Sequence, residues 1–311
     1  MQDVTFPSVI RGLRLMIGGL SFVVGLTATA ATGQEVEMNF SQTVGIERTD
    51  ELSSYDSGLR ATLETTPYSL TTAELERTLA SGLVLRFGAN LRITGYPETD
   101  DATEYEGGVT AELEKTFGTD AAWRYRLTAE VDRLIEGGDW TFNRVRIGQQ
   151  LRYRHDKTHM TTAKLRLGRL NQNEATFYGY DQTEYLFELG HNWRPWGDQR
   201  SINGTIFAEA RRADLKRLSY DELGMRLSFR SPINDTSHYI TRLSAFSRSY
   251  GTEEGIFARE DRHLKATLGI VHILSDAVQT EVYAGWDRNN STIADRGYQG
   301  PIVGLSMTYS W

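Results

Sequence analysis

Cysteine is absent from all 311 residues. That absence removes disulfides, thiolate nucleophiles and cysteine-based metal sites together, and it suits an oxidising compartment in which a stray thiol is a liability. Proline is scarce at 6 residues, against 29 glycines, 15 tyrosines and 6 tryptophans. With Thr, Arg, Leu and Gly recurring throughout, this mixture favours strands and turns over helices. Positive charge is not in excess: the net charge of -7 argues against nucleic acid as a partner, because phosphate binding needs a basic surface. Long apolar runs are missing too. Mean hydropathy is -0.44, and the longest such run, "LMIGGLSFVVGL" at 15–26, falls short of the roughly 20 residues a spanning helix needs.

That run has a different reading. Arg11 and Arg14 precede it and the small residues "TATAATGQE" follow, which is the basic, apolar, small-residue order of a secretory signal peptide. Ala28 and Ala30 fill the small positions, so residues 1–30 are expected to be a signal peptide and 31–311 one exported domain. A membrane anchor is the weaker alternative.

What is present is alternation in twos. "RYRLTAEV" sets Tyr125, Leu127, Ala129 and Val131 against Arg124, Arg126, Thr128 and Glu130, and "TEYLFELGHNW" sets Tyr185, Phe187, Leu189 and Trp193 against Glu184, Glu188 and Asn192. "RVRIGQQLRYR", "DELGMRLSFR", "HLKATLGI" and "VQTEVYAGW" continue the series, with polar, turn-rich stretches between them. These are the marks of antiparallel strands joined in sequence. One stretch, "SLTTAELERTLASGLVLRFG" at 69–88, reads as one strand or two, and its middle passes locally for a helix. At about 20 residues per membrane strand and connection, residues 31–311 hold about 14 strands, within a range of about 12–16.

Alternation fits a β-sandwich as well as a barrel. The apolar face decides between them. It mixes modest residues (Ala129, Ala163, Ala210, Ala266, Ala284) with aromatics near strand ends (Trp193, Trp286, Tyr309, Trp311). A sandwich core would be left with voids beside so many alanines, whereas lipid flows to fill them and aromatics gather at its interfaces. The expected fold is therefore all-β: a transmembrane, antiparallel, up-and-down barrel, closed because unpaired strand edges are untenable in hydrocarbon. Outer-membrane lipid and lipopolysaccharide are its expected surroundings, and acidic outer loops such as "PETDDATEYE" offer divalent cations a bridge to the latter.

The opposite face carries the charge. Arg144, Arg146, Arg152, Arg154, Lys164 and Arg166 make a basic stripe on consecutive strands, and Glu184, Glu188 and Glu209 follow on the next ones. Such a stripe is either an inter-strand ladder stiffening the wall or a transverse field that selects charged solutes or a passing polypeptide. Catalysis finds no footing: there is no Gly-x-Ser-x-Gly elbow, the six histidines are scattered, and no enzyme activity or cofactor is expected. Only His155 and His159 are close in sequence, and their spacing across a turn is not expected to place them on one face or to build a metal site.

The last segment, "VGLSMTYSW", sets Val303, Leu305, Met307, Tyr309 and Trp311 on one side. It resembles the C-terminal signal by which outer-membrane barrels are read by the barrel-assembly machinery, with Trp311 in place of the usual phenylalanine and Ser306 where glycine is common. That machinery is an expected partner during insertion. Upstream, "FAREDRHLKATLGIVHILSD" and "YAGWDRNNSTIADRGYQGP" resemble the C-terminal barrel domain of surface lipoprotein assembly modifiers. Arg288, Asn289, Asn290, Ser291, Ile293 and Tyr298 carry the penultimate hairpin of that resemblance. It implies a barrel in the outer membrane of a Gram-negative bacterium that helps lipoproteins or other polypeptides reach the cell surface. Members with that role carry an N-terminal helical-repeat domain, for which the stretch between Ala30 and the first strand near Val36 has no room. The resemblance therefore implies a barrel-only relative, with surface lipoproteins or a separate periplasmic helical-repeat protein as partners. A porin-like channel for small charged solutes is the alternative, resting on the polar face alone.

Overall fold

A computed structural model describes residues 36–50, 63–79, 82–96, 102–136, 138–173, 179–197, 199–252, 258–293 and 296–311. Residues 1–30, read above as a signal peptide, lie outside the described residues. The described residues form fourteen strands: β1 (Val36–Asp50), β2 (Leu63–Leu79), β3 (Leu83–Tyr96), β4 (Ala102–Phe117), β5 (Trp123–Glu136), β6 (Asp139–Arg154), β7 (His159–Gln172), β8 (Gln182–Trp193), β9 (Ser201–Ala213), β10 (Tyr220–Pro232), β11 (Ser237–Tyr250), β12 (Glu260–Ser275), β13 (Val278–Ser291) and β14 (Tyr298–Ser310). Each pairs antiparallel with its sequence neighbours, and β14 returns to β1, so the sheet closes into a barrel. The doubtful stretch at 69–88 is two strands: Glu76 of β2 lies opposite Arg86 of β3, and Arg86 Nε donates to its carboxylate at 2.6 Å. A cross-strand ion pair outweighs the local helical spacing of "TTAELERTL".

The strands run 12 to 17 residues, longer than the roughly 9–11 needed to cross a bilayer. Several therefore extend into stretches that read as turns in sequence. β4 begins at Ala102, inside the acidic "YPETDDATEYEGG", because Glu104 and Glu106 face inward, and Tyr96 of β3 donates to Glu104 at 3.0 Å. Connections at the rim holding Val36 and Trp311 span two to seven residues; those at the other rim span up to twelve. Short periplasmic turns and longer outer loops are the rule for such barrels, so the rim with the chain ends is the periplasmic one.

The outer wall is apolar around its middle. Ile147, Leu167 and Leu268 are 59%, 58% and 57% exposed, and exposure on that scale is stable only against hydrocarbon. Aromatics ring the periplasmic rim on this outer face: Phe117 stacks on Trp123, Trp123 meets Tyr153 at 4.3 Å, Trp193 meets Trp196, and Phe229 meets Tyr239. Their amphipathic rings suit the headgroup level.

Inside, a small apolar cluster of Leu134, Phe142 and Leu170 packs between β5, β6 and β7 near the outer rim. Glycine makes room elsewhere. A Cβ on Gly304 would sit 2.3 Å from the Tyr283 ring, and that ring lies across β14 to donate its hydroxyl to Glu47 of β1 at 3.0 Å. Thus Gly304 lets β13 reach over β14 and brace the closing strand.

The closure itself is unequal. β1 pairs with β2 along its whole length, Val36 to Asp50, but its ladder with β14 runs only from Ser41–Ser310 to Glu47–Gly304, continued by the Phe40–Trp311 backbone pair at the rim. Pro301 lies three residues beyond the end of that ladder. Trp311 exchanges both backbone hydrogen bonds with Phe40, whereas Ser310 donates to Ala277 on the β13 side. Alternation along the strand then aims the nitrogen of residue 301 at β1, and proline has no hydrogen to offer there. The outer part of the seam is left without a ladder among the described residues.

Candidate functional site in the barrel lumen

Parity puts alternate residues of every strand on the inner wall, and all nine residues of the charged stripe lie there. Arg144 and Arg146 of β6 both reach Asp132 of β5, at 3.2 and 2.7 Å, and Arg146 also meets Glu130 at 2.7 Å. Lys164 of β7 stands 3.8 Å from Glu188 of β8, which also takes Arg226 from β10 at 2.7 Å, across the intervening β9. Arg211 of β9 is held between Glu209 at 2.6 Å and Glu184 at 3.5 Å. Arg154 turns at the periplasmic rim to donate to the Asp120 carbonyl. Arg152 and Arg166 make no ion pair among the described residues, and the Nε of each is shielded from solvent without a hydrogen-bond partner.

The basic strands β6 and β7 thus lie between two acidic groups. One is the β8–β9 set, Glu184, Glu188 and Glu209. The other was not singled out in the sequence: Glu112 and Glu114 of β4 with Glu130 and Asp132 of β5. Glu114 alone takes Arg86, Arg124 and Arg126, at 3.4, 3.5 and 2.9 Å. Their signal was the alternation of "ELEK" and "EVDR", but only the register shows which strand they serve.

A second network, also missed, lies near the outer rim on β9 to β13. Arg248 sits over the Tyr220 ring at 4.3 Å and bonds Glu222 at 2.7 Å, and Arg259 lies over Tyr250 while bonding Asp261 at 2.7 Å. The fully buried Asp287 has Lys265 Nζ at 3.6 Å and His263 Nε2 at 2.7 Å, the latter out of hydrogen-bond alignment. Burying a carboxylate this deep is costly unless polar partners stand beside it.

The β13–β14 hairpin places its six residues at the outer rim. Arg288 and Asn290 share the outer face, with Nε donating to Oδ1 at 2.8 Å. Asn289 is buried inside and donates to the Arg296 carbonyl at 2.8 Å; the Ser291 hydroxyl accepts from the Ile293 amide at 3.2 Å; Tyr298 pairs across from Asn289 and reaches Asp287. At the other end of β14, Val303, Leu305, Met307 and Tyr309 face lipid, and Trp311 stacks on Phe40 at 5.9 Å with Tyr309 tilted against it at 5.1 Å.

The histidines correct the sequence reading. His155 and His159 close the four-residue β6–β7 turn through a backbone bond, so they share a face: residues paired across a hairpin point the same way. His159 Nδ1 lies 3.1 Å from His191 Nε2, and the Thr161 hydroxyl links His155 to His191. No group of His, Asp or Glu among the described residues has the geometry to hold a metal.

In the same turn Asp156 Oδ1 accepts from the Thr158 hydroxyl and from the Thr158 and His159 amides, at 2.8, 2.6 and 2.8 Å. The carboxyl lies in the turn, outside the strands, and those hydrogen bonds, led by the Thr158 side chain, hold its pKa below the ordinary carboxylate value. A depressed folded pKa supplies turn stability that is present above the ordinary carboxylate pKa and lost as pH falls through the lowered one. Protection of the Thr158 and His159 amides, taken relative to their intrinsic exchange at each pH, is therefore expected to fall across that acidic window. In Asp156→Ala that protection should be lost at every pH, which hydrogen-exchange mass spectrometry of the detergent-solubilised protein reads directly.

Comparison with solved structures places the architecture. The outer membrane channel DcaP of Acinetobacter baumannii superposes with a TM-score of 0.55 at 9% identity, covering 91% of this chain and 99% of that one. In-vitro folded OmpT, an outer membrane protein of Vibrio cholerae, gives 0.52 at 10% identity over 92% and 100%, and its loop L8 deletion mutant gives 0.52 at 10% over 90% and 100%. The fold is that of an outer-membrane β-barrel. At these identities the likeness extends to the fold alone. No protein-family profile and no curated protein sequence matches this chain.

Proposed function

We propose that this barrel carries polypeptide cargo, surface lipoproteins in particular, from the periplasmic side to the outer leaflet. The observation that carries the reading is the β1–β14 seam, whose ladder stops at Glu47–Gly304 below Pro301. An acylated polypeptide makes two demands: a wet path for its chain and a way into lipid for its anchor. The barrel offers both side by side. Along the lower seam the inner wall is hydroxyl-lined, with Ser41 bonded to Thr72 at 2.7 Å and Thr43 to Thr308 at 2.8 Å, and the first carboxylate a sliding chain meets there is Glu47 at the ladder's end, held by Arg92 at 2.9 Å. Among the described residues the unladdered part of the seam lies toward the outer rim, where the acyl chains must end. The resemblance of Arg288–Tyr298 to surface lipoprotein assembly modifiers supports the same cargo class, with a periplasmic helical-repeat protein as its supplier and no chemistry performed on the cargo.

The chain has no cysteine, which makes the test clean. Thr43→Cys with Thr308→Cys staples the laddered part of the seam at directly opposed positions, so that the opening above Glu47–Gly304 cannot widen by parting β1 from β14. Oxidised, the staple is expected to abolish surface exposure of lipoproteins in intact cells, and a reductant should restore it. Undiminished display by the stapled barrel would end this reading.

A second reading, a channel for small charged solutes, is favoured by the ion-paired wall away from the seam. It expects steady conductance in planar bilayers whether or not the seam is stapled, with selectivity altered by Arg144→Ala plus Arg146→Ala. A silent barrel, or an unchanged channel with a lowered melting temperature, would reduce those arginines to a ladder.

A further inference from the structure

One stretch of the lumen breaks the pairing rule. Near the periplasmic rim Arg124 of β5 stands directly opposite Arg152 of β6, an arrangement that costs stability on any sheet. The nearest carboxylate, Glu114, lies 3.5 Å from Arg124 but is already engaged by Arg126 and Arg86. Among the described residues Arg152 has no ion pair, and its Nε is shielded from solvent without a hydrogen-bond partner. These residues border a cavity of about 200 Å³ whose charged lining is Arg124, Arg152, Arg154, Lys157 and Arg194 against Asp156. Asp156 turns its Oδ1 back into its own turn. In a chain of net charge -7, five cations around one small cavity is a local inversion of sign.

We propose that this cavity binds an oxyanion of the phosphate class from solution at the periplasmic mouth of the lumen. A tetrahedral dianion supplies what the site lacks: a counter-charge that turns the Arg124–Arg152 opposition into a clamp. Two guanidiniums can donate to several oxygens of one tetrahedral anion, an advantage chloride does not share. Arg124, Arg152 and Arg154 are all inward-facing, so the ligand is a soluble phosphate-bearing molecule and not a lipid headgroup held against the outer wall. This inference stands apart from both readings of the function, because binding requires neither transport nor an open pore.

The test uses the full-length exported protein in detergent micelles, with inorganic phosphate as titrant in an isothermal calorimeter at low ionic strength. Wild type is expected to bind phosphate in preference to chloride, and Arg152→Gln to weaken binding at least about tenfold. Arg262→Gln, which removes the same charge from the outer face, should bind as wild type does. Thermal unfolding separates a ligand site from a brace. Phosphate should raise the melting temperature of wild type and not of Arg152→Gln, and without phosphate the variant should melt no lower than wild type, since like-charge opposition has been relieved. Equal phosphate binding by both proteins, no preference over chloride, or a variant that melts lower in phosphate-free buffer overturns the proposal. Short-chain phosphatidylglycerol binding more tightly than inorganic phosphate would overturn the assignment to a soluble ligand.

Discussion

Arg211→Leu is expected to lower stability by about 3–5 kcal/mol, the cost of stranding buried charge. Arg211 is 6% exposed and Glu184 1%; the guanidinium holds Glu184 and Glu209 from one position and lies over the Tyr220 ring at 5.4 Å. With leucine in its place two carboxylates lose their cation where water cannot replace it. Arg211→Lys should fall between, because an ammonium keeps the charge but not the fork that spans both partners. Urea titration in detergent, followed by the heat-dependent gel shift of folded barrels, measures the difference. A loss of under about 1 kcal/mol is the scale of an exposed pair; it would mean that this part of the lumen is wet and the ladder ornamental.

Ile147→Arg is expected to cost about 2–4 kcal/mol in a bilayer, the penalty for arginine on a lipid face at mid-depth. Ile147 sits near the centre of β6, 59% exposed, and on a water-facing sheet the same change would fall within about 0.5 kcal/mol. Gln150→Arg, three residues on and facing the lumen, should cost much less. The contrast between these two substitutions reports which side of the wall meets hydrocarbon. Equal costs at both positions would remove the case for lipid outside.

How much of this was legible in the sequence follows from what a period of two encodes. Parity alone sorts residues into two faces, so the outward Tyr125, Leu127 and Val131 and the inward Arg144 to Glu209 set are both readable from alternation. It says nothing of register, because sliding one strand past another by two residues keeps every face and changes every partner. For that reason the acids on β8 and β9 were legible as a group, while the pairing of Arg144 and Arg146 to Asp132 and Glu130 on the preceding strand was not. The same blindness hid Arg124 opposite Arg152. His155 and His159 were misplaced for a smaller reason: a four-residue turn returns the chain to the same face, and turn length is hard to read in polar sequence. Pro301 was visible throughout, but its meaning depends on which neighbour its nitrogen faces.

The ring carries one arithmetical consequence. Every adjacent pair of strands but one is a hairpin, formed from residues near in sequence, whereas the Thr43–Thr308 bond joins positions 265 residues apart. Odd-numbered strands all run in one direction. Removing β14 alone would bring β13 to the closing place, parallel to β1, where the antiparallel ladder has no counterpart; removing β13 and β14 together would bring β12, which runs the right way. Shortening by whole hairpins is therefore permitted to such a cylinder and shortening by one strand is not.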